Sequence, residues 1–326
     1  MHALSGAIKK YDWGDVEFIP RLLGLPVTGE PVAEVWFGTH PAGPALLSDT
    51  GEDLRSLTGE LSYMVKYLSA ARPLSLQVHP SLAQAREGFS RESADGVALD
   101  DPQRTYRDTS DKPEIVIALS PFFALCGFHD PSSSVGWFRA MGWHTLAECL
   151  ETRGIEGYVV EALTGSTLAV PDNLPAWAAN LRDAYPGDPA VLVALSMHWV
   201  ELAPGECLTL TAGTLHAYLQ GNAVEVMNGS DNVVRAGFTS KHMDRNELLR
   251  ITDFTPCPPP TRRPIEGVYP SIGDVTVAVY DAPAHITANA DTIVVTTTGL
   301  AFLLQAGESY TLADGTAYAT TSGTQN

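Results

Sequence analysis

Four side chains that can bind a metal ion stand in short, strand-like runs of the sequence. Gln77 and His79 are two residues apart in PLSLQVHP, so on a strand both point to the same face. Glu114 begins the apolar run of DKPEIVIAL, and His216 follows a glycine turn in GTLHAY. Two oxygen and two nitrogen ligands suit a borderline divalent ion such as Zn²⁺, with room for water. The pattern alone leaves a structural role open, because a Gln-x-His pair and a histidine beside Tyr218 also occur as ordinary packed side chains.

The composition restricts the class of protein. The 326 residues are 44% hydrophobic and 18% charged, which favours a sizeable buried core over disorder. The net charge of −18 argues against a general binder of nucleic acid or anionic membranes, since both need a basic face. A small anionic ligand needs only a few placed cations. The sequence shows neither an apolar run long enough to span a bilayer nor a signal peptide, so we expect a cytoplasmic protein.

Three regimes of composition predict the organisation of the chain. Short β-rich runs with Gly and Pro turns fill residues 1–130, and this pattern resumes over 197–254. Helical spacing and capping signals over 131–196 predict a helical insertion. After a proline-rich linker, further short strands predict a second, smaller β-domain over 255–326. The four cysteines are widely spaced without a CxxC pair, and we expect free thiols.

Seven unusual strings occur in a characteristic order along the chain. They are YDWG at 11–14, EVWFGTHPAGPA at 34–45, LSLQVHP at 74–80, EGFSRESADGVALDDPQRTYRDTSDKPE at 87–114, PFFALCGF at 121–128, GTLHAYLQG at 213–221 and EVMNGSDNVVRAGFTSKHMD at 225–244. With them the chain resembles the type I mannose-6-phosphate isomerases, also called phosphomannose isomerases. The match covers most of residues 11–254 and weakens toward the C-terminus. It implies a mainly β, bicupin fold: a cupin-like jelly-roll catalytic domain, a helical insertion and a smaller cupin-like β-domain.

The resemblance also implies one zinc ion per chain. The family's four ligands fall on Gln77, His79, Glu114 and His216, the same set that the residue types suggest. Because ligands occur before and after the helical stretch, that stretch must loop out of a continuous β-domain. The expected partner is a small sugar phosphate, with no nucleic acid and no membrane, and the expected state is a monomer.

The implied reaction interconverts D-mannose 6-phosphate and D-fructose 6-phosphate. A proton moves between C2 and C1 through an enediol or enediolate, whose developing charge a cation stabilises. The resemblance places Arg235 and Lys112 among the catalytic groups, and Glu225 in NAVEVM is a third candidate. The general base stays open among Lys112, Glu225 and a zinc-bound water.

Other side chains are candidates for holding the sugar phosphate. These substrate-binding candidates are Ser75, Lys241, Trp13 and Tyr218. Lysine supplies a point charge and serine a neutral donor, while the aromatic rings bound or stack on a sugar. We interpret His40 and His242 as structural or surface residues.

Two residues depart from the family pattern. Asp111 stands where many relatives carry His, and Ser240 stands where Pro is common.

A cupin oxygenase is disfavoured because Gln77 replaces the first histidine of its usual ligand set. A non-catalytic sugar-phosphate-binding cupin is disfavoured because Arg235 and Lys112 are both present. An isomerase for a related aldose and ketose pair stays an alternative.

Overall fold

The structure is a computed structural model that describes residues 1–323. The strands are β1 His2–Ser5, β2 Ala7–Lys9, β3 Glu34–Gly38, β4 Leu46–Leu47, β5 Tyr63–Ala70, β6 Leu76–Val78, β7 Glu114–Ala118, β8 Phe122–Phe128, β9 Met197–Leu202, β10 Cys207–Leu210, β11 His216–Asn228, β12 Val234–Gly237, β13 Thr261–Arg262, β14 Val275–Asp281, β15 Ala284–Thr287, β16 Thr292–Thr296, β17 Ala301–Leu304, β18 Ser309–Leu312 and β19 Thr316–Ser322. The helices are α1 Phe18–Leu22, α2 Arg55–Thr58, α3 Leu82–Ala94, α4 Pro131–Ala140, α5 His144–Thr164, α6 Ala176–Ala184, α7 Ala190–Ala194 and α8 Arg245–Ile251.

Strand β11 is the centre of the larger sheet, which has 11 strands. Its first residues pair with β6 and β8, and its later residues pair with β5 and β7. The strand changes partners at Gly221, where φ is 123° and a Cβ would lie 2.6 Å from the carbonyl oxygen of Pro121. Only glycine fits this combination of backbone angle and close approach. One strand therefore carries His216 in one layer of the jelly roll and Glu225 in the other.

Strand β5 connects the cavity of this jelly roll to the second β-region. All eight of its residues are buried, so both of its faces are packed. On one face the hydroxyls of Tyr63 and Tyr67 donate to the carbonyl oxygens of Thr320 (2.9 Å) and Thr296 (2.7 Å) in the C-terminal strands. Lys66 is on the opposite face because successive side chains alternate. Packing against the C-terminal region thus fixes the strand that presents Lys66.

Four helices, α4 to α7, lie between β8 and β9. These two strands pair antiparallel, so the helical stretch is a long connection between neighbours in one sheet. Asp130 caps α4 by accepting a hydrogen bond from the amide of Ser133, and Pro131 occupies its first turn. α5 breaks at Gly154, where φ is 68°. Among the described residues, none of the helices combines the length and the apolar character needed to cross a membrane.

The second β-region is a six-stranded sheet with the order β14-β19-β16-β17-β1-β4, accompanied by the hairpin β15-β18. Two of its strands, β1 and β4, come from the N-terminus, while β13 pairs with β10 of the larger sheet. The strand pairing therefore crosses the predicted domain boundaries in both directions. All four cysteines are free thiols, with Cys257 exposed and the others buried.

Candidate active site

A cavity of about 760 Å³ opens among β3, β5, β6, β11 and the loops around them. Nine of the eleven predicted site residues line it, namely Trp13, Ser75, Gln77, Lys112, Glu114, Tyr218, Glu225, Arg235 and Lys241. The other two, His79 and His216, are each 1% exposed and contact Glu114 at the cavity wall. The volume suits a small-molecule ligand. The fold thus brings all the predicted residues to one place.

Strand register explains this convergence. β6 lies between β11 and β12, so Gln77 pairs with His216 on one side and with Arg235 on the other. Cross-strand partners project to the same face of a sheet, which places Arg235 beside the candidate ligands. Farther along β11, Glu225 pairs with Lys66 of β5. Residues far apart in sequence are thereby neighbours in the cavity.

We call Gln77, His79, Glu114 and His216 the metal cluster. One ligand atom from each of the two histidines and from Glu114 lies within 4.8 Å of the others. The Nε2 atom of His79 is 3.3 Å from Oε1 of Glu114, and Nε2 of His216 is 3.9 Å from Oε2. The amide nitrogen of Gln77 is 3.3 Å from Nε2 of His216. Three of the side chains are thus close enough to bind one ion, and the amide of Gln77 lies beside them.

The histidine tautomers suit metal binding. The Nδ1 atoms of His79 and His216 lie 2.9 Å from the carbonyl oxygens of Asn232 and Thr214, to which they donate. The Nε2 lone pairs then face the cluster, which is the usual orientation of metal-binding imidazoles. Among the described residues, Nε2 of His79 is buried without a hydrogen-bond partner. A buried acceptor of this kind is satisfied by a cation, so the donor set fits zinc.

Ser75 holds the amide of Gln77. Its hydroxyl donates to Oε1 of Gln77 at 2.8 Å. A half-turn of the amide directs the oxygen toward the histidines, and the same hydroxyl then accepts from the amide nitrogen. Ser75 serves either orientation, so it positions the ligand as well as lining the cavity.

Charge and burial keep the metal cluster in its metal-binding protonation state. Burial opposes ionisation of Glu114, but Lys112, His79 and His216 hold its pKa well below the usual range. Burial, with His79 nearby, lowers the pKa of His216 to about 4. Burial also lowers the pKa of His79. An ionised carboxylate and neutral imidazoles are the forms that bind metal.

A buried ion triad of Lys66, Glu225 and Glu34 lines the cavity next to the metal cluster. The Lys66 Nζ atom is 2.8 Å from Oε2 of Glu225 and 3.6 Å from Oε1 of Glu34. Burial opposes the charge of Lys66, but the two carboxylates raise its pKa. Burial raises the pKa of Glu225 despite the opposing charge of Lys66, and Glu114 and Glu34 add to the rise. Of these two buried carboxyls, Glu225 therefore has a raised pKa and Glu114 a lowered one.

We call Arg107, Arg235 and Lys241 the cation cluster. Among the described residues, no carboxylate oxygen lies within 4.0 Å of any of the three cationic groups. Burial and the charge of Arg107 lower the pKa of Arg235. Lys241 is exposed as a whole residue, but partial desolvation of its ammonium and the charge of Arg235 lower its pKa. Its Nζ is 5.0 Å from the Tyr11 ring centroid. Like charges without counterions in a cavity form a receptor for an anion.

The remaining predicted residues form the walls of the cavity. Trp13 is half-buried and stacks on Tyr11 with ring centroids 5.7 Å apart. Tyr218 is 2% exposed, and its hydroxyl donates to Oε2 of Glu114 at 3.4 Å. Lys112 contacts the same carboxylate, with its Nζ 2.9 Å from Oε1. Lys112 therefore reaches the metal cluster. It precedes β7, which begins at Glu114, so strand alternation alone does not determine where its side chain lies.

The structure adds residues that the sequence analysis did not select. Lys66 interrupts the apolar run YMVKYL and is one of only five lysines, and that rarity is a signal that could have identified it. Arg107 and Glu34 lie inside quoted motifs but had no distinguishing feature. His40, interpreted as structural, is buried and contacts Asp231 at the cavity wall, with Nε2 to Oδ2 at 3.4 Å.

A cupin-like jelly roll with a half-buried Gln, two buried His and a buried Glu defines a metal-binding cupin. The cations beside them, which have no carboxylate in contact among the described residues, suit a small anion. Residues 1–131 match the family model for the phosphomannose isomerase type I catalytic domain. The mannose-6-phosphate isomerase of Escherichia coli is 33% identical over 293 residues, covering 78% of this chain and 75% of the relative. The human mannose-6-phosphate isomerase is 29% identical over 359 residues, covering 87% of this chain and 82% of the relative.

Solved structures agree with the sequence comparison. The mannose 6-phosphate isomerase of Salmonella typhimurium, bound to substrate (fructose 6-phosphate) and zinc, superposes with a TM-score of 0.84 at 27% identity over 99% of each chain. A mannose 6-phosphate isomerase bound with zinc and yttrium gives the same TM-score and coverage. The chain belongs to the type I mannose-6-phosphate isomerase family, which confirms the resemblance and the predicted mainly β, cupin-like fold.

Proposed function

We propose that this chain interconverts D-mannose 6-phosphate and D-fructose 6-phosphate with one zinc ion per chain. The observation that carries the proposal is that the metal cluster and the cation cluster line a single cavity. An aldose and ketose pair needs an electrophile at C1 and C2, and a 6-phosphate needs a separate anion site. Both requirements have a counterpart in this cavity.

Gln77, His79, Glu114 and His216 would hold the zinc ion. A bound zinc ion supplies Lewis-acid stabilisation of negative charge on the substrate oxygens. Ser75 orients the Gln77 amide, and main-chain carbonyls orient both imidazoles. The ligands are thereby fixed before the substrate arrives.

Proton transfer falls to Glu225 in this proposal. Its carboxylate is buried and lines the cavity, and its raised pKa makes it a better base than an ordinary glutamate. The Lys66 ammonium, 2.8 Å away, keeps one oxygen oriented. Lys112 donates a hydrogen bond toward the sugar oxygens from its place beside Glu114, and Arg235 stabilises the charge of the enediolate.

The phosphate binds to the cation cluster, with Lys241 and Arg107 as its main contacts. Trp13 and Tyr218 border the sugar, and the hydroxyl of Ser75 is available to a sugar oxygen. Neutralising the mutual repulsion of three cations favours a dianion at this position. Arg235 belongs to the cation cluster and also adjoins the metal cluster, because its strand partner is Gln77.

The remaining predictions stay proposals. We propose a catalytic cupin-like domain of residues 1–130 and 197–254, a helical insertion of 131–196 and a C-terminal β-domain of 255–326. Strands β1 and β13 are exchanged between the two β-regions. We further propose that the enzyme works as a monomer in the cytoplasm.

The experiment is a coupled assay of fructose 6-phosphate formed from mannose 6-phosphate, on protein of measured metal content. The proposal predicts about one zinc per chain, loss of turnover with a chelator and recovery on adding zinc. Turnover that survives complete removal of the metal would contradict the metal-dependent mechanism. Bound zinc without turnover would direct the search to another aldose and ketose pair.

A further inference from the structure

The segment from Arg107 to Lys112 has no regular secondary structure. It nevertheless carries Arg107 of the cation cluster and leads into Lys112 and Glu114. A loop lacks the repeating hydrogen bonds that fix a strand, so its side chains are placed by individual contacts. These contacts therefore determine where Arg107 and Lys112 lie.

Asn232 makes most of these contacts. Its side-chain oxygen accepts from the amides of Arg107 (2.8 Å) and Asp108 (3.3 Å). Its side-chain nitrogen donates to the carbonyl oxygens of Asp108 (2.9 Å) and Ser110 (2.8 Å), and to the Asp108 carboxylate (3.0 Å). Asn232 is completely buried. Both ends of its amide are fully used on this one loop.

The same residue also contacts the metal cluster. The main-chain carbonyl of Asn232 accepts the hydrogen bond from Nδ1 of His79 at 2.9 Å. Its neighbours strengthen the link, because the amide of Asp231 and the hydroxyl of Ser230 both donate to the Asp108 carboxylate at 2.8 and 2.9 Å. Asn232 thus bonds an imidazole of the metal cluster through its main chain and the loop from Arg107 to Lys112 through its side chain.

We propose that Asn232 is a positioning residue that couples the metal cluster to the loop carrying Arg107 and Lys112. It holds the orientation of His79 and the position of the loop as one unit. This inference rests on the proposed function for the identity of the substrate, but its metal part does not. Without the amide, buried main-chain groups of the loop lose their partners and the loop moves relative to His79.

The main test is Asn232→Ala, measured first as the zinc dissociation constant of the apoprotein in competition with a chromophoric chelator. The alanine keeps the main-chain carbonyl that accepts from His79, so zinc binding changes only because that carbonyl shifts when the loop moves. Removing a contact that orients a metal ligand costs roughly 10- to 100-fold in affinity, so we expect the dissociation constant to rise by about 10-fold, the low end of that range. The kcat for mannose 6-phosphate falls and its KM rises, because Lys112 and Arg107 are displaced together.

Asn222→Ala is the matched control. Asn222 lies in β11 and, like Asn232, makes side-chain hydrogen bonds, in its case with Ser69 at 2.6 Å and Ser120 at 3.2 Å. It lies outside the cavity lining. We expect both substitutions to lower the melting temperature, but only Asn232→Ala to lower the affinity for zinc. Zinc affinity within twofold of wild type in Asn232→Ala, or an equal loss in Asn222→Ala, overturns the proposal.

Asp108→Asn tests the link from the loop side in case Asn232→Ala does not fold. This isosteric change at a half-buried position weakens the contacts from Ser230, Asp231 and Asn232. We expect weaker zinc binding and a raised KM, in the same direction as for Asn232→Ala, and unchanged values of both overturn the proposal. Wild-type turnover separates the two ideas: a wild-type chain that binds zinc without isomerising mannose 6-phosphate refutes the proposed function, while the zinc measurements still judge Asn232.

Discussion

The metal cluster and the cation cluster share one cavity but are built in opposite ways. In the metal cluster, His79, Glu114 and His216 are each 1% exposed and held by further contacts. In the cation cluster, Arg235 is half-buried, Lys241 is exposed, and no carboxylate lies within ion-pair distance among the described residues. The first arrangement is rigid before any ligand binds. The second keeps positive charge without a contacting carboxylate, and an incoming anion would neutralise it.

This contrast separates two tasks of an isomerase. Stabilising an enediolate needs groups fixed at the reacting carbons before the reaction starts. Holding a phosphate needs attraction and release, which exposed cations provide with less precision. We therefore expect substitutions in the metal cluster to remove catalysis and substitutions at exposed cations to change mainly KM.

The largest effect is expected for His216→Ala. Removing a buried ligand loses the metal, and metal-ion catalysis is worth several kcal/mol, so kcat/KM falls by about 10³-fold or more together with zinc content. His242→Ala is the control, because this exposed imidazole lines the same cavity outside the metal cluster. Stoichiometric zinc in the purified His216→Ala protein would remove His216 from the ligand set.

Glu225→Gln is expected to come next. Loss of a general base costs about 10²-fold or more in kcat, while the zinc content stays unchanged. The measurement is deuterium incorporation at C1 of fructose 6-phosphate when the reaction runs in D₂O, compared with Lys112→Met. If Glu225→Gln still transfers the proton and Lys112→Met does not, the lysine is the base.

Within the cation cluster, Arg235 and Lys241 are expected to differ. A hydrogen bond to a charged group is worth about 1.5–3 kcal/mol, so Arg235→Ala lowers kcat/KM by roughly 10- to 100-fold, mostly through kcat. Lys241→Ala raises KM about 10-fold with a small change in kcat, since an exposed charge contributes chiefly to binding. Steady-state kinetics of both variants check this. If Arg235→Ala and Lys241→Ala lower kcat equally, the expected difference between a catalytic arginine and a binding lysine is wrong.

Lys10→Ala is the control for that pair. Lys10 is exposed, pairs with Glu30 at 2.6 Å and lies outside the cavity lining, so its loss should leave both kinetic constants unchanged.

The smallest effect concerns the support of the cation cluster. Glu247 on α8 contacts Tyr106, next to Arg107, and pairs with Arg91 at 3.1 Å and Arg250 at 2.7 Å. Burial opposes its charge, but the hydrogen bond from Arg250, with those from Tyr106 and Arg91, lowers the pKa of Glu247 from 4.5 to about 2. We expect Glu247→Gln to lower the free energy of unfolding by about 1–2 kcal/mol at pH 7.

The pH dependence gives the sign of that effect. A carboxyl whose pKa is lowered on folding stabilises the protein above its unfolded pKa, and this contribution is lost as the pH falls from about 4.5 toward 2. The difference in unfolding free energy between wild type and Glu247→Gln should therefore shrink over that range. A difference in unfolding free energy that stays constant down to pH 2 would show that packing causes it, and not the ionisation of Glu247.

The sequence predicted the metal cluster better than its surroundings. Gln77 and His79 share a strand face by simple alternation, residue types at the starts of strand-like runs suggested Glu114 and His216, and the family motifs implied the same four residues. Ligand types are a local property of the chain. The contacts around the ligands are not local. The carbonyl of Asn232 reaches His79, and the ammonium of Lys66 reaches Glu225 beside the metal cluster, only through strand register and loop folding.

The same limit applies to the fold. Alternating patterns and turn signals were sufficient to predict a mainly β chain with a helical stretch between 131 and 196. They contained no signal that β1 pairs with β17, because that pairing joins residues about 300 positions apart, His2 with Leu303. Asp111, a departure from the family pattern, accepts a hydrogen bond from Asn228 at 3.3 Å, a contact no sequence motif announces.

In the proposed mechanism, the metal-cluster end of the cavity performs the chemistry, and exposed cations select a phosphorylated sugar. The most direct test is the ratio of kcat/KM for mannose 6-phosphate to that for mannose, in wild type and in the double variant Arg107→Ala/Lys241→Ala, each at measured zinc content. We expect wild type to prefer the phosphorylated sugar strongly, and we expect this preference to fall by about 10²-fold or more in the double variant, with full zinc content. An unchanged preference in the double variant would contradict this mechanism.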